Sequence, residues 1–286
     1  MNHFNLFIEL TRIKKPIGFM LLFWPCSWGL VLAVDLKSNI EIFIYYLFLF
    51  MCGSILMRSA GCIINDIVDK NFDKKVKRTK NRPIASGKIS VVHGLIYASI
   101  LCLVALIVLL QFNKLTILLA LISMPLAFTY PLMKRITYWP QLFLGVTFNY
   151  GLILAWTSIN NEISIHPILF YMGAIFWTLG YDTVYGFQDI KDDEIIGVKS
   201  TSIKFKKNPK IFLTFCYLLT FITIFTLGII MEFNLFYYIG LILIGYLFFN
   251  QIIIFNKNNA KICLKIFKSN NLLGLIIFLN IFIGKL

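Results

Sequence analysis

Two stretches hold most of the residues that could do chemistry. The first carries Asn65, Asp66, Asp69 and Asp73, and the second carries Asp182, Asp189, Asp192, Asp193 and Glu194. Together they hold eight of the chain's thirteen acidic residues. On a helix of 3.6 residues per turn, Asn65, Asp69 and Asp73 share a face, as do Asp189 and Asp193, with Asp182 two turns deeper on the same side. Carboxylates gathered this way repel one another, and a hard cation relieves the repulsion. Mg²⁺ in particular is held by one or two carboxylates together with substrate phosphates and water. Bases follow each cluster: Lys77, Arg78, Lys80 and Arg82 after the first, Lys199 and Lys204 after the second. These suit the remaining charge of a phosphorylated ligand. Acids for a metal beside bases for phosphate make a diphosphate site. The plainer alternative, ordinary charged loops, must arise twice in equivalent positions.

The elements that position these residues are membrane helices. The chain has 286 residues, 59% hydrophobic and only 14% charged, against roughly 25% charged in a soluble domain. Apolar runs long enough to cross a bilayer as helix fall at Ile17–Val34, Ile40–Ile64, Ile89–Phe112, Leu115–Met133, Tyr138–Ile159, Pro167–Phe187, Ile211–Met231 and Leu235–Phe255. A ninth, Leu272–Gly284, is short unless extended upstream. The expectation is an all-α polytopic membrane protein, with about nine transmembrane helices around a central cavity capped by cytoplasmic acidic loops. Residues 1–286 form one integral domain. If each span switches sides from a cytoplasmic N-terminus, the inner segments carry Arg12, Lys14, Lys15, the bases from Lys70 to Lys88, Lys134, Arg135, Lys191 to Lys210 and Lys257 to Lys268. The outer side keeps Lys37, Lys114 and, if the ninth run spans, Lys285. That asymmetry is the positive-inside pattern. It accounts for most of the net charge of +14 without nucleic acid as a partner. The six cysteines are scattered with no CxxC pair and read as small buried residues; the three histidines are isolated from one another. No clear cleavage site follows the first apolar run, which reads on as a span.

The segments "NDIVDKNFD" and "RTKNRPIASG" fit the pattern NDxxDxxxD…RTxxRPxxxG, and "YDTVYGFQDIKDDEIIGVKST" contains a second DxxxD followed by G-x-K-S-T. In these paired motifs the chain resembles the UbiA superfamily of intramembrane aromatic prenyltransferases. "MRSAGCIIND" and "YPLMKRITYWPQ" resemble the branch that prenylates 4-hydroxybenzoate in ubiquinone synthesis. Ile84 stands where that branch usually has leucine, a swap with no chemical consequence. The likeness runs from about the first span to the seventh, and the last two spans match in hydropathy only.

The resemblance implies transfer of a polyprenyl group from polyprenyl diphosphate to the 3-position of 4-hydroxybenzoate, with release of diphosphate. Asp69, Asp73, Asp189 and Asp193 are then the catalytic carboxylates, holding Mg²⁺ with Asn65 and Asp66 as further ligands. Arg78, Arg82, Lys134, Arg135 and Lys199 are the candidates for the diphosphate oxygens. Arg58 and Asp182 lie within spans, Arg58 about 12 Å below Asp66 at the usual helical rise. A charge so placed is costly, by default faces a cavity, and marks a functional site. Arg58 is assigned the substrate carboxylate, with Arg135 as a competitor, and Asp182 the phenol hydroxyl or a neighbouring ligand. The structural alternative is that Arg58 and Asp182 simply pair. Tyr181 and Tyr185 flank Asp182 and could stabilise an allylic cation or merely pack.

Three other readings are weighed against this one. The nearest is a related enzyme with a haem, naphthoate or chlorophyll-precursor acceptor. Another is a transporter using the acids as an ion path, disfavoured because the acids sit at span ends and no paired Gly/Pro breaks mark the helices. The third is an inert scaffold, disfavoured because no motif acid is missing. With no Arg- and Ser-rich leader before the first span, the expected location is a bacterial inner membrane rather than the mitochondrial one.

Overall fold

The computed structural model describes residues 3–286. Among them every regular element is helical: α1 (His3–Thr11), α2 (Ile17–Ala33), α3 (Ile40–Val68), α4 (Lys70–Asp73), α5 (Val91–Leu109), α6 (Lys114–Thr129), α7 (Met133–Ile136), α8 (Pro140–Asn149), α9 (Gly151–Asn160), α10 (Ile165–Gly186), α11 (Ile190–Ile196), α12 (Thr201–Lys204), α13 (Pro209–Ile230), α14 (Leu235–Ile254) and α15 (Ala260–Lys285). Seven segments are long and apolar enough to cross a bilayer: α3, α5, Lys114–Ile136, Pro140–Asn160, α13, α14 and α15. α2 has 17 residues, at the lower limit of about 17 for a span, and α10 has 22.

The burial pattern is that of a protein in lipid. Large apolar side chains such as Ile42, Phe48, Leu103, Ile107, Ile242 and Phe249 point outward, while Asn149, Thr178, Thr220 and Asn270 are buried between helices. A bilayer gives apolar side chains no reason to hide, so small residues and interhelical hydrogen bonds hold the helices together. Gly29 of α2 lies so close to the Leu152 carbonyl of α9 that a Cβ would collide with it. The six cysteines are unpaired; Cys26, Cys62, Cys216 and Cys263 are buried and Cys52 and Cys102 half-buried.

Element boundaries differ from the apolar runs where polar side chains find partners. α15 begins at Ala260, well before Leu272, because Asn259 caps it by accepting from Lys261 N and Ile262 N. Its polar stretch is internalised: Trp24 Nε1 donates to Asn271 Oδ1 (2.9 Å), Trp177 Nε1 to Asn270 Oδ1 (2.8 Å) and Trp28 Nε1 to the Gly274 carbonyl (2.9 Å). The segment Lys114–Ile136 changes from α to a 3-10 turn at Tyr130–Leu132, where Pro131 interrupts it, and resumes as α7. Outside the spans, α1 packs across α3 and α5. There Leu6 and Leu10 are buried with Ile63, Ile84, Ile89 and Ala98.

Candidate active site

Both acidic motifs sit where a long helix breaks, so their acids are carried by a helix end, a cap and a short following helix. α3 stops at Val68, whose carbonyl accepts from Arg135 Nη2 at 2.7 Å. Asp66 is therefore helical, Asp69 is the cap, and Asp73 rides on α4. α10 ends at Gly186: Ser202 Oγ donates to the Thr183 carbonyl (2.7 Å), and the Phe187 amide turns to Val184 O (3.2 Å). Asp189 then becomes the N-cap of α11, with Asp193 in its first turn. The single straight face expected for Asp182, Asp189 and Asp193 is thus corrected to two helices joined by a bend. Gly197, at φ 77°, ends α11 in the left-handed conformation, and Gly87, also at φ 77°, closes the first motif loop. Each position favours glycine for that reason.

Every acid that the first motif brings to this end has a cationic partner. Asp66, only 2% exposed, is paired with Arg12 and with Arg82 Nη1 at 3.1 Å. The same Arg82 nitrogen reaches Asp73 Oδ2 at 2.8 Å. Asp69 pairs with Lys134, and Arg135 Nη2 lies 3.8 Å from its Oδ1. The two motifs are clasped together: Arg78 Nε is 2.9 Å from both Asp189 oxygens, its Nη2 reaches the same carboxylate, and the Lys77 amide donates to Asp192 Oδ2 at 3.2 Å. Burial pushes the Asp193 carboxyl up to about 6; Asp189 adds to the shift, while Lys134 and Arg78 oppose it. Burial likewise holds Asp69 above the usual carboxylate range despite Lys134.

These groups surround a cavity of about 360 Å³. Asn65, Asp69, Asp73, Asp189 and Asp193 line it, as do Arg78, Arg82, Lys134 and Lys199. Two expected site residues, Asp66 and Arg135, are not on its wall. Asp66 is behind it holding two guanidinium groups, and Arg135 is outside, capping α3 and stacking over Phe72 at 5.0 Å. The deep end is lined by Arg58, Asp182, Tyr181 and Tyr185, all foreseen, and by Tyr130 and Phe148. Arg58 lies over the Phe148 ring at 5.4 Å, and its buried Nε has no hydrogen-bond partner. Among the described residues no ion pair joins Arg58 to Asp182, so the two charged groups remain separately presented to the cavity. A second cavity of about 600 Å³ shares Arg58, Tyr130 and Phe148 with the first. It is otherwise almost wholly apolar, running past Met57, Cys102 and Met124 to the exposed Leu103 and Leu121.

Arg12 also lines the first cavity and is absent from the sequence-based site. It follows α1, adopts a left-handed backbone (φ 55°), and turns its guanidinium inward onto Asp66 and toward Cys62 Sγ (3.7 Å). No local pattern marks it. In the sequence it is one more inner-side base. Phe267 of α15 lies on the same cavity wall and was equally silent.

Among the described residues, no three His, Cys, Asp or Glu side chains converge on a point. An all-protein metal cage is therefore not what this end offers. The donor set does fit Mg²⁺ carried partly by a substrate, because the groups are hard carboxylate oxygens lining an accessible cavity, and Asp69 Oδ1 is buried without a hydrogen-bond partner.

The model of the UbiA prenyltransferase family matches residues 22–280. A 4-hydroxybenzoate polyprenyltransferase, mitochondrial, of Drosophila pseudoobscura pseudoobscura is 42% identical over 98% of this chain and 70% of its own length. A 4-hydroxybenzoate octaprenyltransferase of Psychromonas ingrahamii is 39% identical over 98% of this chain and 96% of its own. The fold is shared with a solved UbiA homolog from Archaeoglobus fulgidus bound to DMAPP and Mg²⁺, with a TM-score of 0.69 at 16% identity, over 96% of this chain and 97% of that one.

Proposed function

The chain belongs to the UbiA prenyltransferase family, and from that premise we propose that it transfers a polyprenyl group from polyprenyl diphosphate to the 3-position of 4-hydroxybenzoate, a step of ubiquinone synthesis. The observation that carries this reading is the meeting of both acidic motifs on one cavity whose deep end presents Arg58 without an ion-pair partner. The relatives named for this reaction match nearly the whole chain. The whole chain is read as one catalytic domain.

Asp69, Asp73, Asp189 and Asp193, with Asn65, are the residues that would hold Mg²⁺. When bound, Mg²⁺ supplies Lewis-acid neutralisation of charge on the diphosphate, typically several kcal/mol. Arg78, Arg82, Lys134 and Lys199 hold the diphosphate oxygens; the acids that pair with the first three, and the Ile136 carbonyl that accepts from Lys199, keep these bases in place beforehand. Asp66 serves as the anchor for Arg12 and Arg82 rather than as a direct ligand, since its carboxylate is enclosed by both. Arg135 secures the end of α3. The prenyl chain runs into the apolar second cavity, while Arg58 receives the acceptor carboxylate and Asp182 the phenol hydroxyl. Electron density at the ring carbon next to that hydroxyl then attacks the prenyl carbon as its bond to oxygen breaks, and the ring proton is lost. Apolar walls and Tyr181 and Tyr185 exclude water from the developing cation. The membrane is read as a bacterial plasma membrane with the acidic motifs on the cytoplasmic side, in line with the Lys/Arg asymmetry.

The test is prenylation of 4-hydroxybenzoate by membranes containing the protein, with and without Mg²⁺. Changing Asp69 or Asp189 to alanine should reduce turnover at least about 100-fold, as loss of several kcal/mol requires. Metal-independent turnover, or a preference for a naphthoate acceptor, would overturn the reading.

A further inference from the structure

Phe267 belongs to α15, far in sequence from both motifs, yet it lines the same cavity as Asp189 and Arg78. Its ring centroid is 4.3 Å from that of Tyr185 and 5.7 Å from that of Tyr181, whose ring stands edge-on to it. Tyr185 in turn lies under the Arg78 guanidinium (5.6 Å) and accepts a hydrogen bond from Arg78 Nη1 at 3.4 Å. The three rings therefore form one aromatic wall that begins beside the cation clasped to Asp189. The carbon that parts from a diphosphate held there is within reach of this wall.

The wall is held by the same indole hydrogen bonds that fasten α15 to its neighbours. Phe267 can turn toward the cavity only if α15 keeps its rotation and height, and three indole N–H groups fix both. Trp177 holds Asn270, Trp24 holds Asn271 and Trp28 holds the Gly274 carbonyl. Asn270 also donates to the Ile266 carbonyl (2.9 Å), and Gln251 accepts from Tyr217 at 2.6 Å, so polar groups next to the pin are satisfied. Trp177 packs edge-on against Tyr181 at 4.9 Å, joining the pin to the wall directly. Each such bond between helices in lipid contributes a modest amount on its own, but together they leave α15 a single register.

We propose that Phe267 is a catalytic residue: with Tyr185 and Tyr181 it faces the allylic cation and decides whether the aromatic acceptor or water captures it. The competing outcomes are balanced. In both, the carbon–oxygen bond breaks and its electron pair leaves with diphosphate. Capture by the acceptor forms a carbon–carbon bond and releases the ring proton. Capture by water forms a prenyl alcohol and releases a water proton. An aromatic face stabilises the cation and fills the space that water would need beside it.

This proposal rests on the prenyl-transfer reading, and its test separates the two. Wild-type protein and the Phe267→Tyr, Phe267→Leu and Phe267→Ala variants, in membranes, are given geranyl diphosphate, Mg²⁺ and 4-hydroxybenzoate. The ratio of geraniol to geranylated product is measured. Geraniol formed by equal membranes without the protein is subtracted, so the remaining ratio is per turnover and does not depend on how much of a variant folds. Phe267→Tyr should keep the wild-type ratio. Phe267→Leu and Phe267→Ala should raise it, with kcat lower by roughly 2- to 30-fold, the range of one cation–aromatic contact. An unchanged ratio in Phe267→Ala, or loss of both products in all three variants, would reduce Phe267 to a packing residue. A wild-type protein that prenylates nothing from either geranyl diphosphate or a longer polyprenyl diphosphate would instead remove the reaction itself.

Discussion

The clasp between the motifs can be measured without substrate. Arg78 offers Asp189 a forked guanidinium, with Nε 2.9 Å from each oxygen and Nη2 on Oδ2. A hydrogen bond to a charged group contributes about 1.5–3 kcal/mol where buried, whereas an exposed ion pair contributes about 0.2–1 kcal/mol. The Arg78 side chain is 42% exposed and Asp189 is 16% exposed, so the pair falls between those limits. A coupling of about 1–2 kcal/mol is expected after discounting for solvent, roughly a 5- to 30-fold change in an equilibrium constant. The protein carries its own comparison. Lys206 and Glu194 are 2.6 Å apart with side chains 52% and 38% exposed, and their coupling should stay within the surface range. The assay is a pair of double-mutant cycles, Arg78→Ala with Asp189→Ala and Lys206→Ala with Glu194→Ala. It follows unfolding of the purified protein in detergent, free of Mg²⁺ and diphosphate, by tryptophan fluorescence. Arg78→Lys, which keeps the charge and loses the fork, should retain less than half of the coupling. Equal coupling in the two cycles would show that the motifs are not clasped by this pair.

Two further perturbations address the parts of the site that come from outside the motifs. Arg12→Ala leaves the buried Asp66 with Arg82 alone, and should lower the unfolding free energy by about 1–3 kcal/mol, with Arg12→Lys restoring part of it; a change within about 0.3 kcal/mol would show that Arg82 alone suffices for Asp66. Arg58→Ala should raise KM for 4-hydroxybenzoate about 10- to 150-fold without a comparable change for the prenyl diphosphate. Gly18→Ala should push in the same direction more weakly, since a Cβ there would lie 2.8 Å from Arg58 Nε; an effect confined to the diphosphate KM would place Arg58 with the other substrate.

What could be read from the sequence was whatever a single local rule determines. Lipid demands about 20 apolar residues per crossing, so α3, α5, α13 and α14 stand out within a few residues. The motif acids stand out because carboxylates are scarce in this chain, and a scarce residue type repeated at fixed spacing is informative. The apolar run Leu272–Gly284 is short unless extended upstream, and the extension runs through Asn270 and Asn271, whose side chains the indoles of Trp177 and Trp24 engage. The break after Gly186 was missed because it depends on Ser202, from α12, taking the Thr183 carbonyl. Arg12 and Phe267 were hidden for a common reason. Basic residues on the inner side and phenylalanines in spans, 28 in this chain, are the expected background, so neither type carries a signal until its neighbours are known.

The basicity of the chain consequently has two causes that the sequence merges. On the proposed topology, Arg12, Arg78, Arg82, Lys134 and Arg135 all belong to the inner-side excess of basic residues. In the folded protein each of them is paired with an aspartate of the two motifs. Orientation is decided while the chain inserts, before these pairs exist, so the same bases can first direct topology and then serve the site. The pairing also answers the objection that five cations beside a buried cavity should repel one another. The five cations share four aspartates, Asp66, Asp69, Asp73 and Asp189, and the acids' own repulsion is relieved in the same contacts. A diphosphate that arrives with a divalent cation brings both charge types, and so can replace protein–protein pairs on both sides at once. A bare anion could satisfy only the bases and would leave buried carboxylates without partners, which is strongly unfavourable. If the site takes diphosphate as proposed, this reasoning makes the metal–diphosphate complex the preferred ligand over either component alone.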